Sequence, residues 1–293
     1  MIIIKIIGGL GNQLFQYAFG KTLEHNTGSK VYFDVEDFNV KYKLRKISLQ
    51  HFNVSLNIAE QEEIERLNSL YNKFLYKIYR VSNGLFIKVN HLRYYAEKDS
   101  LFDETVFLIN NDIYLNGYWQ SEKYFSNIQE HIKSEFTVTT PPTEDNLKTI
   151  DQINNSNSVS LHIRRGDYIT NPSAINFYSS CSMKYYENAI DHIAERVVEP
   201  VFFVFSDDIQ WVKKNLKSRY NLIFVDQNDA DSNYEDLRLM SNCKHSIIAN
   251  STFSWWGAWL NSNDDKIVIS PQQWFVNNSR STTDLIPKNW IKL

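Results

Sequence analysis

Cysteine is nearly absent from this chain. Cys181 and Cys243 are the only two in 293 residues, too few for a disulfide framework and without the spacing of a zinc site, so they read as buried thiols in a reducing cytoplasm. Long apolar runs are missing too. No stretch of about 18 consecutive apolar residues occurs, so no transmembrane helix is expected. The opening MIIIKIIGGLG has a short apolar run that carries Lys5 and stops at glycines, which reads as a first buried strand rather than a signal peptide. Nor is there an excess of basic charge. With 31 Lys and Arg against 34 Asp and Glu, a formal net charge of -3 and a pI near 6.2, no global field gathers nucleic acid or an anionic surface. Anion recognition must be local.

What the chain does have is 43% hydrophobic and 14% aromatic residues, enough for two packed cores. Strand and helix alternate along it. Residues 2–7 form a β-branched run closed by Gly8, Gly9 and Gly11; residues 12–28 have the spacing of a helix that stops at Gly28, and residues 31–34 read as the next strand. Such a βαβ unit implies a parallel sheet. One helix is expected over residues 59–79, a strand at 112–115 delivering Tyr118, Trp119 and Gln120 to a loop, and a helix at 127–136. Two prolines and an Asn/Ser cluster bracket a short polar helix in residues 141–158, the best boundary. A second alternating series then runs through strands at 159–163, 201–206, 222–226, 246–250 and 266–271. The expected architecture is α/β, with domains at 1–145 and 155–293 and a cleft between them.

Ligands of open α/β sheets bind beyond the carboxyl ends of strands, and four such places stand out. In GGLGNQ (8–13) a dinucleotide fingerprint fails because Leu14 stands where the third glycine belongs. The glycines permit a tight turn, or the loop offers Asn12 and Gln13 to a hydroxyl-rich ligand. In HIRRGDY (162–168) one of Arg164 and Arg165 is expected to face the ligand, where a guanidinium binds phosphate oxygens in pairs. The competing reading is a structural pair with Asp167, while an adhesion role for Arg165-Gly166-Asp167 conflicts with the strand context. After VFFVFS, Asp207 and Asp208 either accept from a base or ribose or cap a helix. In NSTFSWWGAW (250–259), Asn250, Ser251 and Thr252 open a helix at its positive end, and Trp255, Trp256 and Trp259 read as core. Asp229-Ala230-Asp231 is a D-x-D, but as a calcium loop from Asp226 it lacks the sixth-place glycine and has Leu237 at the twelfth. It reads as a solvated loop, and no metal is expected.

GGLGNQLFQYAFG, HIRRGDY, FVFSDD and CKHSIIANSTFSWWGAW, in this order, make the sequence similar to the bacterial α-1,2-fucosyltransferases of glycosyltransferase family eleven. The resemblance spans residues 8 to about 260. It implies a GT-B-like fold, two Rossmann-like domains with parallel sheets facing across a cleft, the first binding the acceptor and the second GDP-fucose. It implies inverting, metal-independent transfer of fucose to the 2-hydroxyl of a terminal galactose, with no cofactor. Carried over, Arg164 contacts the β-phosphate with Arg165 beside it or ordering the loop; His162, Asp207 and Asp208 face guanine and ribose; Ser251, Thr252 and Phe253 hold the diphosphate and base region. Asn250 belongs to the same donor group, Asn12 and Gln13 to the acceptor side. Asp167 is the candidate for orienting or deprotonating the acceptor. Several members of the resembled family show His-Gly before the cysteine that follows the arginine motif, where this chain has Tyr178 and Ser179, so the acceptor pocket is expected to differ. A lipid-linked acceptor and peripheral attachment to the inner face of the membrane stay open. A nicotinamide oxidoreductase and a non-catalytic carbohydrate-binding or adhesion module are the alternatives.

Overall fold

The computed structural model describes residues 1–40, 46–99, 101–109, 112–166, 181–276 and 281–293. The described chain divides into two units, Met1–Thr137 with Thr282–Leu285, and Val138–Ser281 with Ile286–Leu293. Asp284 ties the returning segment to the first unit, accepting from the Phe102 N–H at 2.9 Å and pairing with Lys123.

In the first unit β1 (Ile2–Lys5) is so apolar because it is central: Ile2, Ile3 and Ile4 are fully buried, as befits a parallel strand covered on both faces. Helix α1 (Leu10–Thr27) ends at Gly28, whose φ of 67° closes the last turn by an N–H bond to the Glu24 carbonyl. β2 (Val31–Asp34) then pairs parallel with β1, Ile2 opposite Val31. With β3 (Tyr94–Ala96) and β4 (Ile113–Asn116) the sheet runs β2-β1-β4-β3, all parallel. α2 (Glu36–Val40) follows β2, and α5 (Gln129–Glu135) closes the unit after two short 3-10 turns.

The single helix expected over residues 59–79 is two, α3 (Gln61–Leu67) and α4 (Leu70–Ser82). Ser69 caps α4 by accepting from the Asn72 N–H at 3.3 Å, and the Asn72 side chain donates to the Arg66 and Leu67 carbonyls that end α3. Trp119 lies in the loop after β4, as expected, and is also core: fully buried and stacked on Phe19 at 4.3 Å between ring centroids.

The second unit opens with α6 (Glu144–Asn154) and continues β5 (Asn157–Ile163), α7 (Met183–Ala194), β6 (Pro200–Ser206), α8 (Ile209–Asn215) and β7 (Asn221–Phe224). α9 (Asn233–Asn242), β8 (His245–Ile247), α10 (Thr252–Leu260), β9 (Val268–Ser270) and β10 (Ile291–Lys292) complete it. Its six-stranded sheet is wholly parallel, in the order β10-β9-β8-β5-β6-β7. Counted from β5, this is the third-second-first-fourth-fifth-sixth order of doubly wound nucleotide-binding sheets, and the winding reverses between β5 and β8. One face of β5 presents Val159, Leu161 and Ile163 to Tyr186, Ala189, Ile190 and Ile193 of α7. Its other face carries Ser158, Ser160 and His162, all buried. Trp255, Trp256 and Trp259 are core, as expected, and Trp255 packs on Trp290 at 5.5 Å.

Gly117, after β4, leaves no room for a methyl group. A Cβ there stands 2.6 Å from the Glu97 Cβ and 2.8 Å from the Trp119 ring. Gly117→Ala is therefore expected to lower unfolding free energy by about 1–3 kcal/mol, measured by chemical denaturation; a loss below roughly 0.5 kcal/mol contradicts this packing.

Candidate functional site

The register of two neighbouring strands builds the centre of the site. β5 and β6 pair in parallel with His162 opposite Phe205 and Ile163 opposite Ser206, so the residues that follow meet in order, Arg164 with Asp207 and Arg165 with Asp208. Both pairs form. Arg164 Nη1 lies 3.0 Å from Asp207 Oδ2, and Arg165 Nε lies 3.4 Å from Asp208 Oδ2. The other Asp207 oxygen accepts from the Arg165 backbone N–H at 2.9 Å, so one carboxylate orders both residues. Partly exposed ion pairs contribute only about 0.2–1 kcal/mol each. Orientation, more than stability, is what these provide.

The two arginines part at the strand end. Arg165 lays its guanidinium over Trp211 of α8, 3.3 Å from the ring centroid, and Trp211 packs against the core on the α7 side of the sheet. Arg165 is thus held flat between an indole and a carboxylate. Arg164, 28% exposed, keeps its guanidinium within reach of solvent. Asp208 caps α8, accepting from the Trp211 N–H at 3.3 Å while its own N–H donates to Ser206 Oγ. Of the two readings of the acid pair, the cap is present for Asp208, and arginine orientation is added for both. Gly166 is a steric requirement of this arrangement, since a Cβ there sits 2.3 Å from Asp207 Oδ2.

Across the point where the winding reverses, β8 ends and α10 begins. Ser251 caps α10, accepting from the Phe253 N–H at 3.3 Å, and the Phe253 ring lies 5.7 Å from the His162 ring. The loops after β5 and β8 therefore meet through His162 and Phe253. Asn250 is buried and donates to the Trp274 carbonyl at 2.9 Å, while Cys181 Sγ lies 3.5 Å from its Oδ1; its side chain fixes the loop. Thr252 opens the helix beside it. Cys181 is half-buried and Cys243 buried, and burial pushes the Cys181 thiol up to about 11. His162 is buried, and its Nδ1 has no hydrogen-bond partner among the described residues. Burial first, then the Arg164 charge, lowers its pKa to about 4, against a smaller opposing pull from Asp207.

His162, Arg164, Arg165, Asp207, Asp208, Asn250, Ser251, Thr252 and Phe253 thus gather at the carboxyl ends of β5, β6 and β8. Asp167, Tyr178 and Ser179 lie outside the described residues. Asn12 and Gln13 belong to the first unit, at the carboxyl end of β1. There Gly8, with φ of 83°, lies so close to Asn12 Nδ2 that a Cβ would stand 2.5 Å away. Asn12 Oδ1 accepts from Gln120 Nε2 at 2.9 Å, and Gln16 bridges the Ile7 N–H and the Gly117 carbonyl, which joins the loops after β1 and β4. Gln13 is fully buried, and its amide donates to the Gly8 and Lys46 carbonyls and accepts from the Ser48 N–H. What Gln13 contributes is the shape of the loop; a sugar hydroxyl has no access to its side chain. The D-x-D is a turn in which Asp229 Oδ1 accepts from the Asp231 N–H, the Ser232 N–H and the Ser232 hydroxyl. Trp211, Gly166 and Gln16 are the contributors that motif reading misses. The spacing from Asp208 to Trp211, cap to first turn of α8, is the one local signal of the arginine platform.

Two measurements check this geometry. The unfolded chain takes up the His162 proton below about 6.5 and the folded chain only below about 4, so stability is lost as pH falls between those values; NMR titration of the His162 ring is expected to show a midpoint near 4, and one near 6.5 contradicts its burial. Gly166→Ala is expected to displace the Asp207 carboxylate at a cost of about 0.2–1 kcal/mol, the scale of the partly exposed pair it disturbs, read by chemical denaturation, and a loss above about 3 kcal/mol contradicts a clash with a movable side-chain end.

The model of the family Glycosyl transferase family 11 matches residues 1–293. An Escherichia coli O-antigen biosynthesis glycosyltransferase, WbnK, is 34% identical over 98% of this chain and 98% of its own length. An Escherichia coli alpha-1,2-colitosyltransferase is 34% identical over 100% and 99%, and the galactoside alpha-(1,2)-fucosyltransferase 2 of Hylobates lar 25% identical over 89% and 69%. Among solved structures, NodZ alpha-1,6-fucosyltransferase soaked with GDP-fucose superposes with a TM-score of 0.52 at 13% identity, over 88% of this chain and 92% of that one. A mutant Arabidopsis thaliana FUT1 in complex with GDP gives 0.54 at 10%, over 91% and 69%. These likenesses, with two all-parallel sheets, the second of them doubly wound, give a GT-B-like fold. The chain belongs to glycosyltransferase family 11 and is a glycosyltransferase.

Proposed function

We propose that this enzyme transfers L-fucose, with inversion, from GDP-β-L-fucose to the 2-hydroxyl of a terminal galactose in a glycan. The second unit binds the donor and the first the acceptor. The observation that carries the reading is the position of Arg164 at the strand end where the winding of the second sheet reverses, close to His162 and thus to the start of α10. A phosphate there meets a guanidinium and the positive end of a helix. Relatives named for α-1,2 transfer of fucose and colitose, and neighbours holding GDP or GDP-fucose, support the donor class.

In the transfer the acceptor oxygen attacks the anomeric carbon from the face opposite GDP. The bond from that carbon to the β-phosphate oxygen breaks, and its electron pair stays on the diphosphate. Charge that develops on the leaving group is met by Arg164, with the dipole of α10 behind it, so no cation is required. Arg165, clamped by Trp211 and Asp208, keeps the loop in shape. His162, neutral at working pH, adds no charge beside the arginine, and Phe253 offers a ring edge to the base. Asp207 and Asp208 act through the arginines. Ser251 and Thr252 present the helix start, Asn250 holds it, and Asn12 serves the acceptor. Asp167, the remaining acid of the motif, orients the acceptor hydroxyl or takes its proton; near-normal turnover by Asp167→Asn would remove it from that role.

Calorimetric titration with GDP, and UDP as control, in excess chelator tests the donor assignment. The parent protein is expected to bind GDP, and Arg164→Ala to bind it at least about tenfold more weakly, the scale of one charge-assisted phosphate contact. Equal binding of both nucleotides, or binding indifferent to Arg164, overturns it. Colitose is the alternative sugar, favoured by the 34% identity to the colitosyltransferase, and turnover of GDP-fucose against GDP-colitose decides between them.

A further inference from the structure

Helix α4 wears its most apolar side chains on the outside. Its buried face is Asn72, Tyr76 and Tyr79, and both tyrosines pack on β3, Tyr76 at 5.7 Å from Tyr94 and 5.1 Å from Tyr95, Tyr79 at 6.4 Å from Tyr95. Leu70, Tyr71, Phe74 and Val81 are 85%, 68%, 60% and 83% exposed, and Leu85 and Phe86, just past the helix, 80% and 77%. At about 100° per residue, Leu70, Val81, Phe74 and Tyr71 fall within a single arc of roughly 100°. Lys77, Lys73 and Arg80 occupy the neighbouring arc, between this stripe and the buried face.

The charge of the segment is as one-sided as its hydropathy. Residues 66–96 contain Arg66, Lys73, Lys77, Arg80, Lys88 and Arg93 and no Asp or Glu, in a chain whose formal net charge is -3. Arg66 pairs with Glu63 at 2.6 Å and, more distantly, with Asp112, Arg93 pairs with Asp112, and Lys73 lies over the Tyr94 ring. Lys77, Arg80 and Lys88 are exposed. A helix with an apolar outer stripe and a cationic edge matches the requirements for lying in a membrane interface, aromatic and aliphatic groups among the acyl chains and ammonium groups at the phosphates. Among the described residues no helix is long and apolar enough to cross a membrane, so attachment through this helix is peripheral.

We infer that the exposed face of α4, continued through Leu85 and Phe86, is a docking surface for an anionic lipid bilayer. It lies outside the groups used for sugar transfer and does not depend on which sugar is transferred. The full-length protein is sedimented with vesicles of phosphatidylglycerol and phosphatidylcholine in equal parts, and with vesicles of phosphatidylcholine alone. Binding is expected to be at least about tenfold stronger on the anionic vesicles and to weaken as salt is raised. Lys77→Glu combined with Arg80→Glu is expected to abolish that preference, and Phe74→Ser combined with Phe86→Ser to reduce binding to both compositions, without change in thermal unfolding because all four side chains are exposed. Three outcomes overturn the inference: equal sedimentation with both vesicles, a preference that survives both double variants, or a dimer in solution that Phe74→Ser with Phe86→Ser dissolves while the parent ignores vesicles, which assigns the face to a second copy. The salt series on the parent alone keeps the question decidable if a variant fails to fold.

Discussion

The parallel register of β5 and β6 is the constraint on which the site depends. Ile163 opposite Ser206 fixes what comes next on each strand, and what comes next is two arginines on one and two aspartates on the other. Neither ion pair is buried enough to contribute much stability. Their worth is geometric. Shared carboxylates, a backbone N–H bond and the Trp211 face remove the rotamer freedom that long cationic side chains otherwise keep. A slip of one residue pairs Arg164 with Ser206 or Asp208 and exchanges the apolar face of β5 with the face of Ser158, Ser160 and His162, so the apolar runs VSLHI and VFFVFS that hold the register also hold the site.

Polar side chains inside the two cores do a related task at the strand ends. In the first unit Gln13 and Gln16 spend their amides on backbone groups of the segments after β1, α2 and β4; in the second, Asn250 does so for the segment before α10. Buried amides need such partners, and each of these uses the need to order a loop. His162 differs, with Nδ1 unpartnered among the described residues in a buried place and the proton-bearing form disfavoured by burial and by Arg164. Neutrality there leaves Arg164 as the positive group nearest the end of β5.

Much of this architecture can be read from local pattern, and what cannot has a common cause. The strands at residues 31–34 and 201–206 and the helix stop at Gly28 follow from β-branched or aromatic runs and from glycine's access to positive φ. The break at Asn68–Ser69 does not, because an apolar stripe runs through it and only a serine cap and one asparagine decide against continuity. β3 is a three-residue strand made of two tyrosines and an alanine, and β10 is two residues long, too short for periodicity to register. The chemistry divides the same way. The arginine pair and the helix start were visible as motifs, but the partners that orient the arginines stand more than forty residues away on another strand, a relation that only the sheet supplies.

On the proposed reading the diphosphate of a guanine nucleotide sits at the carboxyl end of β5, between Arg164 and the start of α10. Crystals of the protein grown with GDP would show whether it does. Density for the β-phosphate is expected within hydrogen-bond distance of the Arg164 guanidinium, about 2.7–2.9 Å, with α10 pointing its first turn at the diphosphate. GDP density elsewhere in the protein, with Arg164 paired only to Asp207, contradicts it.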